Sequence, residues 1–317
     1  MPRRRRIGKR LIKSLLPIAL VIVLAVVGAL AFIVYCVSQP TKRPYVVTPE
    51  AFARISGRAI KVTDETWTNS DGREARGWLL KGAEGAPAVV LLHRYGGDRS
   101  WLFNLGVKIN ETTNFTILWP DLRGHGEDPL IRSTSLGVHE GDDLQSAIKF
   151  MRSLKSGQNT LVGESLGVYG VEMGAYSALK AARSEPQVKV LVLDSVVSSP
   201  DDLLRTRVAS CVGLDNGLVQ YFSRLAMTVY MLGAYDGTNA CEFARAIRDQ
   251  RVLLLSSVDA GPLRDSTAAL QRCFPNAANV EVRTDLPLSG FGLPSVTGEQ
   301  GEAYDRVVIE FFARNLR

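Results

Sequence analysis

A serine between two glycines is the first feature of this sequence that could do chemistry. Ser165 stands in the run Gly163-Glu164-Ser165-Leu166-Gly167, and the spacing G-x-S-x-G is typical of a tight turn from a buried strand into a helix. Only residues without bulk fit two places either side of the serine, and the turn lifts its hydroxyl out of the sheet. The backbone N–H of Leu166 would then face an oxyanion formed on a carbonyl that Ser165 attacks. The motif predicts nucleophilic catalysis by Ser165.

Short apolar runs alternate with helix-length stretches around this motif. Continuous apolar strands that alternate with helices indicate a parallel sheet covered on both faces. The predicted strands are 88–92, 115–119, 161–162, 188–193, 252–255 and 280–283, after a hairpin formed by 61–68 and 75–80. The clearest predicted helices are 142–154, 166–182 and 302–312. The expected fold class is therefore α/β.

Two further motifs follow predicted strands, at the sheet edge where open α/β sheets bind ligands. These are HRYGG at 93–97 and DLRGHG at 121–126. Together with GESLG at 163–167, they resemble the α/β-hydrolase superfamily over residues 60–315, most closely its monoacylglycerol-lipase and serine-aminopeptidase-like branch. The resemblance implies the α/β-hydrolase fold, in which helices flank a mostly parallel sheet and a helical lid follows the sixth strand.

The resemblance also implies roles for individual residues. Ser165 matches the nucleophile, and the amides of Leu166 and Tyr95 match the oxyanion hole, with Gly163 and Gly167 shaping the turn. At position 94 the family usually has glycine, whereas this chain has an arginine. A bulky cation beside the hole would either fill part of the pocket or hold an anionic group of a ligand.

This sequence has a match to the acid of the family's catalytic triad but none to its histidine. The family's acid follows the strand after the lid, where Asp259 stands, with Asp194 as the alternative. The family's histidine would lie in a loop near 287–292, where this chain has none. The histidines all precede Ser165, and they are His93, His125 and His139. The first two belong to loop motifs in which the family uses histidine structurally, and the third opens a predicted helix.

The missing histidine leaves the activity open between two main hypotheses. A serine hydroxyl is a poor nucleophile unless a base takes its proton during attack. The first hypothesis is a membrane-anchored serine hydrolase of esters, acylglycerols or peptides that acts through Ser165 with an unidentified base. The second is a catalytically inactive pseudohydrolase that serves as a ligand-binding or interaction module. A membrane-tethered interaction protein without any role for the pocket is a third, less supported hypothesis.

The N-terminal residues predict a membrane anchor. Residues 15–37 are apolar and uncharged, and the tail 1–14 before them is strongly basic. Such a stretch spans a bilayer, and the positive-inside rule places the tail in the cytoplasm and the rest of the chain on the outer side. The alternative is a cleaved signal peptide with a small-residue site at 29–31. A linker at 38–49 and a hydrolase domain at 50–317 would follow.

Charge and motif content predict the binding partners. The net charge of the 317 residues is +6, but residues 1–43 hold nine Lys and Arg and no acidic residue. The remainder therefore carries a net charge of −3, the difference between +6 and +9, so we expect no nucleic-acid partner. No metal-ligand spacing and no nucleotide-binding glycine motif is present in the sequence, so we expect no cofactor. The expected ligand is a hydrophobic or acyl small molecule.

A lid is expected at about 197–247, a stretch without a strand pattern. Six of its apolar residues recur at helical spacing, namely Leu218, Tyr221, Phe222, Leu225, Val229 and Leu232. Such a stripe fits either a helix that faces the core or a lid that roofs a pocket.

The four cysteines are divided by the predicted anchor. Three lie on its outer side, Cys211, Cys241 and Cys273, where two could pair and leave one thiol over. Buried free cysteines are the alternative. We expect Cys36 to be an ordinary residue of the apolar run.

Overall fold

The structure, a computed structural model, describes residues 3–57, 60–293 and 298–316. The side chains of the predicted cytoplasmic tail, 1–14, lie outside the described part. The chain forms two compact units: Met1–Val37 with Leu204–Tyr235, and Ser38–Leu203 with Asp236–Arg317. We describe each unit by itself.

The second unit contains an eight-stranded sheet and a separate small hairpin. The sheet strands are β1 (Val62–Thr68), β2 (Glu74–Leu80), β3 (Ala86–Leu92), β4 (Thr116–Pro120), β7 (Val162–Val171), β8 (Val188–Asp194), β9 (Arg251–Leu255) and β10 (Val280–Arg283), and the strands of the small hairpin are β5 (Lys155–Ser156) and β6 (Asn159–Thr160). The order of the strands in the sheet is β1-β2-β4-β3-β7-β8-β9-β10. The hairpin strands β1 and β2 pair antiparallel, as do β2 and β4, and the other neighbours are parallel. The predicted, mostly parallel sheet is confirmed.

In the second unit, helices connect the strands and flank the sheet. In chain order, the helices of both units are α1 (Arg3–Ser38), α2 (Pro49–Ser56), α3 (Phe103–Thr113), α4 (Glu140–Ser153), α5 (Met173–Ala182), α6 (Pro200–Val212), α7 (Gly217–Tyr230), α8 (Ala240–Ala244), α9 (Leu263–Leu270) and α10 (Glu299–Asn315). The helices predicted at 142–154 and 302–312 are present as α4 and α10. The helix predicted at 166–182 is wrong in its first part, because residues up to Val171 belong to β7 and α5 begins only at Met173.

Tight packing of α3 onto the sheet fixes the core on one face. Trp119 of β4 is fully buried, and its indole N–H donates to the carbonyl of Leu102 at 2.9 Å. A side chain at Gly106 of α3 would come within 2.3 Å of the Trp119 ring. The helix therefore needs glycine where it crosses the tryptophan.

The segment predicted as a linker packs against the sheet unit. It contains neither helix nor strand between residues 39 and 48. The Tyr45 hydroxyl donates to Asp121 at 2.7 Å, and the Val46 amide donates to the hydroxyl of Ser100 at 2.9 Å. These bonds make the segment part of the folded unit, which begins at Ser38 rather than near residue 50.

The first unit contains the apolar N-terminal helix. Leu15–Ser38 of α1 is 24 residues long with a mean hydropathy of 3.0, and is thus long and apolar enough to cross a membrane. The predicted stripe of α7 does not face a core. Its six side chains are exposed, by 72% at Leu218, 65% at Tyr221, 43% at Phe222, 46% at Leu225, 68% at Val229 and 94% at Leu232. The core-facing interpretation is therefore wrong.

All four cysteines form disulfides, one within each unit. Cys36 bonds to Cys211 in the first unit, and Cys241 bonds to Cys273 in the second. The expectations of an unpaired thiol and of an ordinary Cys36 are wrong. Cysteine spacing alone could not show that the end of α1 lies beside α6.

A buried carboxylate organises the turn before α4. Glu140 accepts bonds from the amides of Ser135 and Gly137 at 2.9 and 2.8 Å, and from the hydroxyls of Ser135 and Thr134, each at 2.5 Å. Burial raises the pKa of Glu140, but the charge of Arg123 and these hydrogen bonds outweigh burial and lower that pKa below its ordinary 4.5. The ionised form therefore stabilises the fold.

We expect Glu140→Gln to lower the free energy of unfolding at pH 7 by about 2 kcal/mol, since charged hydrogen bonds are lost. Because the folded pKa lies below the unfolded one, the wild-type contribution is present above pH 4.5 and is lost as pH falls through the folded pKa. The variant should thus lose less stability than the wild type in that acidic range. Urea titration of the full chain in detergent micelles, followed by tryptophan fluorescence, measures both effects.

The exposed Glu164 provides the control, because its carboxylate should contribute little. We expect Glu164→Gln to follow the wild type at every pH. If the stability of Glu140→Gln fell in parallel with the wild type between pH 7 and pH 3, the assigned role of Glu140 would be wrong.

Candidate functional site

A single residue links the central strand β7 to helix α5. Glu172 has φ 52° and ψ −108°, a conformation that side-chain-bearing residues rarely adopt. A Cβ atom at Gly170 would lie 2.5 Å from the carbonyl oxygen of Gly174, and one at Gly174 would lie 2.5 Å from that of Leu92. The run GVEMG at 170–174 therefore makes the strained strand-to-helix turn, with glutamate at its centre.

Ser165 does not stand at this turn. It lies half-buried inside β7, before a register shift between β7 and β8 at Leu166 and Gly167. The amide of Leu166 donates to the carbonyl of Gln187 at 2.9 Å, so it is not available to an oxyanion. The predicted placement of Ser165 and of the Leu166 amide is wrong.

The two glycines beside Ser165 have a packing explanation instead. A Cβ atom at Gly163 would lie 2.5 Å from the carbonyl oxygen of Gly85. One at Gly167 would lie 2.7 Å from the ring of Phe312 in α10. Close approach to neighbouring elements, and not a nucleophile turn, accounts for these glycines.

The amide of Tyr95 faces the strained turn. Tyr95 belongs to the HRYGG loop after β3, and its backbone N–H donates to Oε2 of Glu172 at 2.9 Å. Both residues are buried. The Tyr95 amide, predicted as an oxyanion-hole donor, thus has a carboxylate of the same chain as its partner.

Asp259 reaches the loop in which a histidine was expected. It lies in a 3-10 turn, Val258–Ala260, directly after β9. Its Oδ2 accepts bonds from the amide of Ser289 at 3.1 Å and from the Ser289 hydroxyl at 2.9 Å. The predicted acid is thus paired with a buried serine in the loop 287–292.

Asp194, the alternative acid, is enclosed by hydrogen bonds. It accepts from the hydroxyls of Ser195 and Tyr304 at 2.6 and 2.5 Å, and from the amide of Gly290 at 2.7 Å. Burial raises the pKa of Asp194 to about 6, against the lowering effect of these bonds. This geometry suits a structural support for the loop.

Asp194 also joins that loop to the strained turn. The amide of Glu172 donates to the backbone carbonyl of Asp194 at 3.0 Å, while the Asp194 carboxylate holds Gly290. A Cβ atom at Gly290 would lie 2.5 Å from the side chain of Val171. Ser289 is therefore held in a loop that packs directly beside the turn.

Two histidines are buried in the neighbouring loops. The Nδ1–H of His93 donates to the carbonyl of Arg94 at 2.8 Å, and its Nε2 accepts from the amide of Leu122 at 3.1 Å. Nδ1 of His125 lies 2.8 Å from the carbonyl of Arg123. Burial is the largest cause that lowers their pKa values, to about 4 for His93 and about 3 for His125. Both rings are neutral near pH 7 and hold loop backbone.

His139 precedes α4, with Nδ1 at 3.6 Å from the carboxylate of Asp142. Its side chain is 37% exposed. The three histidines thus lie in the two loops and at the start of α4.

Arg94 lies in the same loop as Tyr95. Its guanidinium is 4.2 Å from the ring centre of Trp101 and 5.1 Å from that of Phe291, and Nη1 donates to the carbonyl of Tyr95 at 2.9 Å. The cation therefore lies against two aromatic rings and is bonded to the carbonyl of Tyr95.

The sequence-based prediction missed Glu172 and Ser289. A second glycine pair with the required spacing, 170 and 174, was present seven residues after the first. The apolar run 168–171 before it also indicated that the strand continues past Ser165. Requiring the glycine motif to follow the end of the apolar run would have selected Glu172.

Comparisons with known proteins give matches in structure alone. No protein-family model matches the sequence, and no curated protein matches it. Among solved structures, an esterase from Pyrococcus furiosus is similar with a TM-score of 0.64 at 17% identity, over 89% of this chain and 99% of that chain. An acylaminoacyl peptidase from Pyrococcus horikoshii has a TM-score of 0.59 at 18% identity, over 84% of this chain and 44% of that one.

A thermophilic esterase from Thermogutta terrifontis is similar with a TM-score of 0.56 at 18% identity, over 80% of this chain and 100% of that chain. At these identities the similarity concerns the fold. The strand order, the flanking helices and these matches together show that the chain has the α/β-hydrolase fold.

Proposed function

We propose that this chain is a membrane-anchored pseudohydrolase, which uses the α/β-hydrolase fold as a ligand-binding or interaction module. The observation that carries the proposal is the hydrogen bond from the Tyr95 amide to the Glu172 carboxylate. This bond supports a strand-to-helix turn in which the Glu172 carboxylate occupies the place of a substrate oxyanion.

The Glu172 carboxylate opposes acyl transfer in two ways. It uses the amide donor that an oxyanion would need, and losing one such donor costs about 10²–10³-fold in rate. Its negative charge would also repel an oxyanion at the same position. Ser165, inside β7, offers no nucleophile at this turn.

The pair formed by Asp259 and Ser289 supports the same proposal. A general base contributes about 10²–10⁴-fold when its pKa lies near the working pH. Ser289 occupies the loop where the resemblance places an imidazole, and a serine hydroxyl cannot take up a proton near neutral pH. Asp259 would be left to orient a residue that does no acid–base chemistry.

A second candidate function follows from the backbone conformation of Glu172. A carboxylate at the nucleophile position could attack an electrophilic carbon and form an ester as the leaving group departs. Water would then have to cleave that ester, which again needs a base. Without an imidazole beside Asp259, the expected outcome is a long-lived adduct on Glu172 rather than turnover.

The proposed location is a single-pass anchor with a cytoplasmic N-terminus and the sheet unit on the outer side. The span Leu15–Ser38 and the basic residues before it support this topology. Two disulfides support an oxidising compartment for the folded part. The ligand remains, as a prediction, a hydrophobic or acyl small molecule.

We expect the purified full chain not to react with a fluorophosphonate, because no activated serine stands at the turn. Ser165→Ala should behave like the wild type. Intact-mass spectrometry after incubation with the probe measures adduct formation. A wild-type adduct that is lost in Ser165→Ala would contradict the proposal and restore the serine-hydrolase hypothesis.

Replacing the two residues that depart from a triad should create reactivity. In Glu172→Ser/Ser289→His, the Tyr95 amide no longer binds a carboxylate and can donate to the phosphonyl oxygen of the probe. The imidazole at position 289 can pair with Asp259. We expect this double variant to react with the fluorophosphonate about 10²–10⁴-fold faster than Glu172→Ser alone, which lacks a base. The rate of adduct formation by mass spectrometry is the measurement.

The control is Glu172→Ser/Ser289→His with Asp259→Ala added, which should lose most of the gain. Circular dichroism establishes that each variant is folded. Equal rates in the single and the double variant, both folded, would show that Glu172 and Ser289 do not occupy the nucleophile and base positions.

A further inference from the structure

Most of the large apolar side chains of helix α7 are exposed rather than buried. Its buried side chains include Ser223, whose hydroxyl bonds to the carbonyl of Val219 at 2.6 Å, and Met227. Its exposed side chains form the apolar stripe of Leu218, Tyr221, Phe222, Leu225 and Val229, continued by Leu232. A contiguous exposed apolar face of this kind marks an interaction surface.

The charge around this stripe is low. From Asn216 to Tyr235, the sequence contains one charged residue, Arg224. The carboxylates that border this range are Asp215, which is paired with Arg205 at 2.9 Å, and Asp236, which accepts bonds from the amide and the hydroxyl of Thr238. The face can therefore leave water with almost no cost of charge desolvation.

A disulfide ties this segment to the end of the candidate membrane span. Cys36 lies two residues before the end of Leu15–Ser38 and bonds to Cys211 of α6, which belongs to the same compact unit. The Cα atoms of the two cysteines are 6.4 Å apart. If α1 spans a bilayer, Cys36 is at the outer edge of the hydrocarbon, and α7 begins only six residues after Cys211.

We propose that α7 lies along the outer surface of the membrane with its apolar stripe among the phospholipid acyl chains. The inference rests on the membrane anchor of the proposed function. With 14 residues, α7 is about 21 Å long, whereas a spanning helix needs about 20 residues. An in-plane helix buries such a face at the boundary of head groups and acyl chains.

Lipid is the occupant that the tether favours over a second copy of the chain. The disulfide holds the start of the segment at the depth where lipid is already present, so no partner has to be recruited. Tyrosines suit this depth because their rings are apolar and their hydroxyls remain hydrated, and Tyr221 and Tyr230 are both exposed.

Photo-crosslinking in phosphatidylcholine nanodiscs tests the inference on the full chain. Benzoylphenylalanine replaces Leu225, or Leu218 as a second position on the stripe. The same substitution at Val26 reports on the anchor, and at the exposed Glu310 of α10 it provides the background. Non-reducing gels before and after reduction confirm that the Cys36–Cys211 bond has formed in each variant.

We expect a phosphatidylcholine adduct, measured by peptide mass, at positions 225, 218 and 26, and only background at 310. An adduct at 26 without one at 225 or 218 would overturn the inference and leave the anchor intact. A crosslinked dimer through 225 would overturn it in favour of a second copy. If position 26 gave no adduct either, α1 would not be in the bilayer, and the membrane anchor on which both proposals rest would be wrong.

Discussion

The steric constraint on the turn between β7 and α5 determines the chemistry of this molecule. The approach of Gly170 to Gly174, and of Gly174 to the end of β3, leaves room for no other residue at either position. The turn therefore presents a single side chain, that of Glu172, at the carboxyl edge of the sheet. Its carboxylate accepts a hydrogen bond from the Tyr95 amide, which joins the turn to the HRYGG loop.

The remaining parts of the site surround this turn. Asp194 accepts a bond from the amide of Gly290 in the loop after β10, and Asp259 accepts a bond from the hydroxyl of Ser289 in the same loop. Under the proposed function, Asp194 and Asp259 support a site whose residues do not perform triad chemistry.

Apolar runs were sufficient to predict the parallel sheet and the approximate location of most strands, because buried strands need little besides branched apolar residues. They did not locate the end of β7, since Ser165 and its glycines interrupt the apolar pattern inside the strand. The position of Asp259 after β9 could be predicted because that strand is a clear apolar run, whereas its role as an acid stays a prediction. The pairing of Cys36 and the exposure of the α7 stripe could not, because each depends on contacts between distant segments.

Hydrogen exchange at the Tyr95 amide tests the central claim most directly, since that proton is held by the Glu172 carboxylate. The comparison is between the wild type and Glu172→Ala, with the Gly97 amide, which donates to the carbonyl of Arg94 at 3.1 Å, as the internal control. We predict slow exchange at Tyr95 in the wild type, faster exchange in the variant, and no change at Gly97. Equal protection of the Tyr95 amide in both proteins would contradict the account.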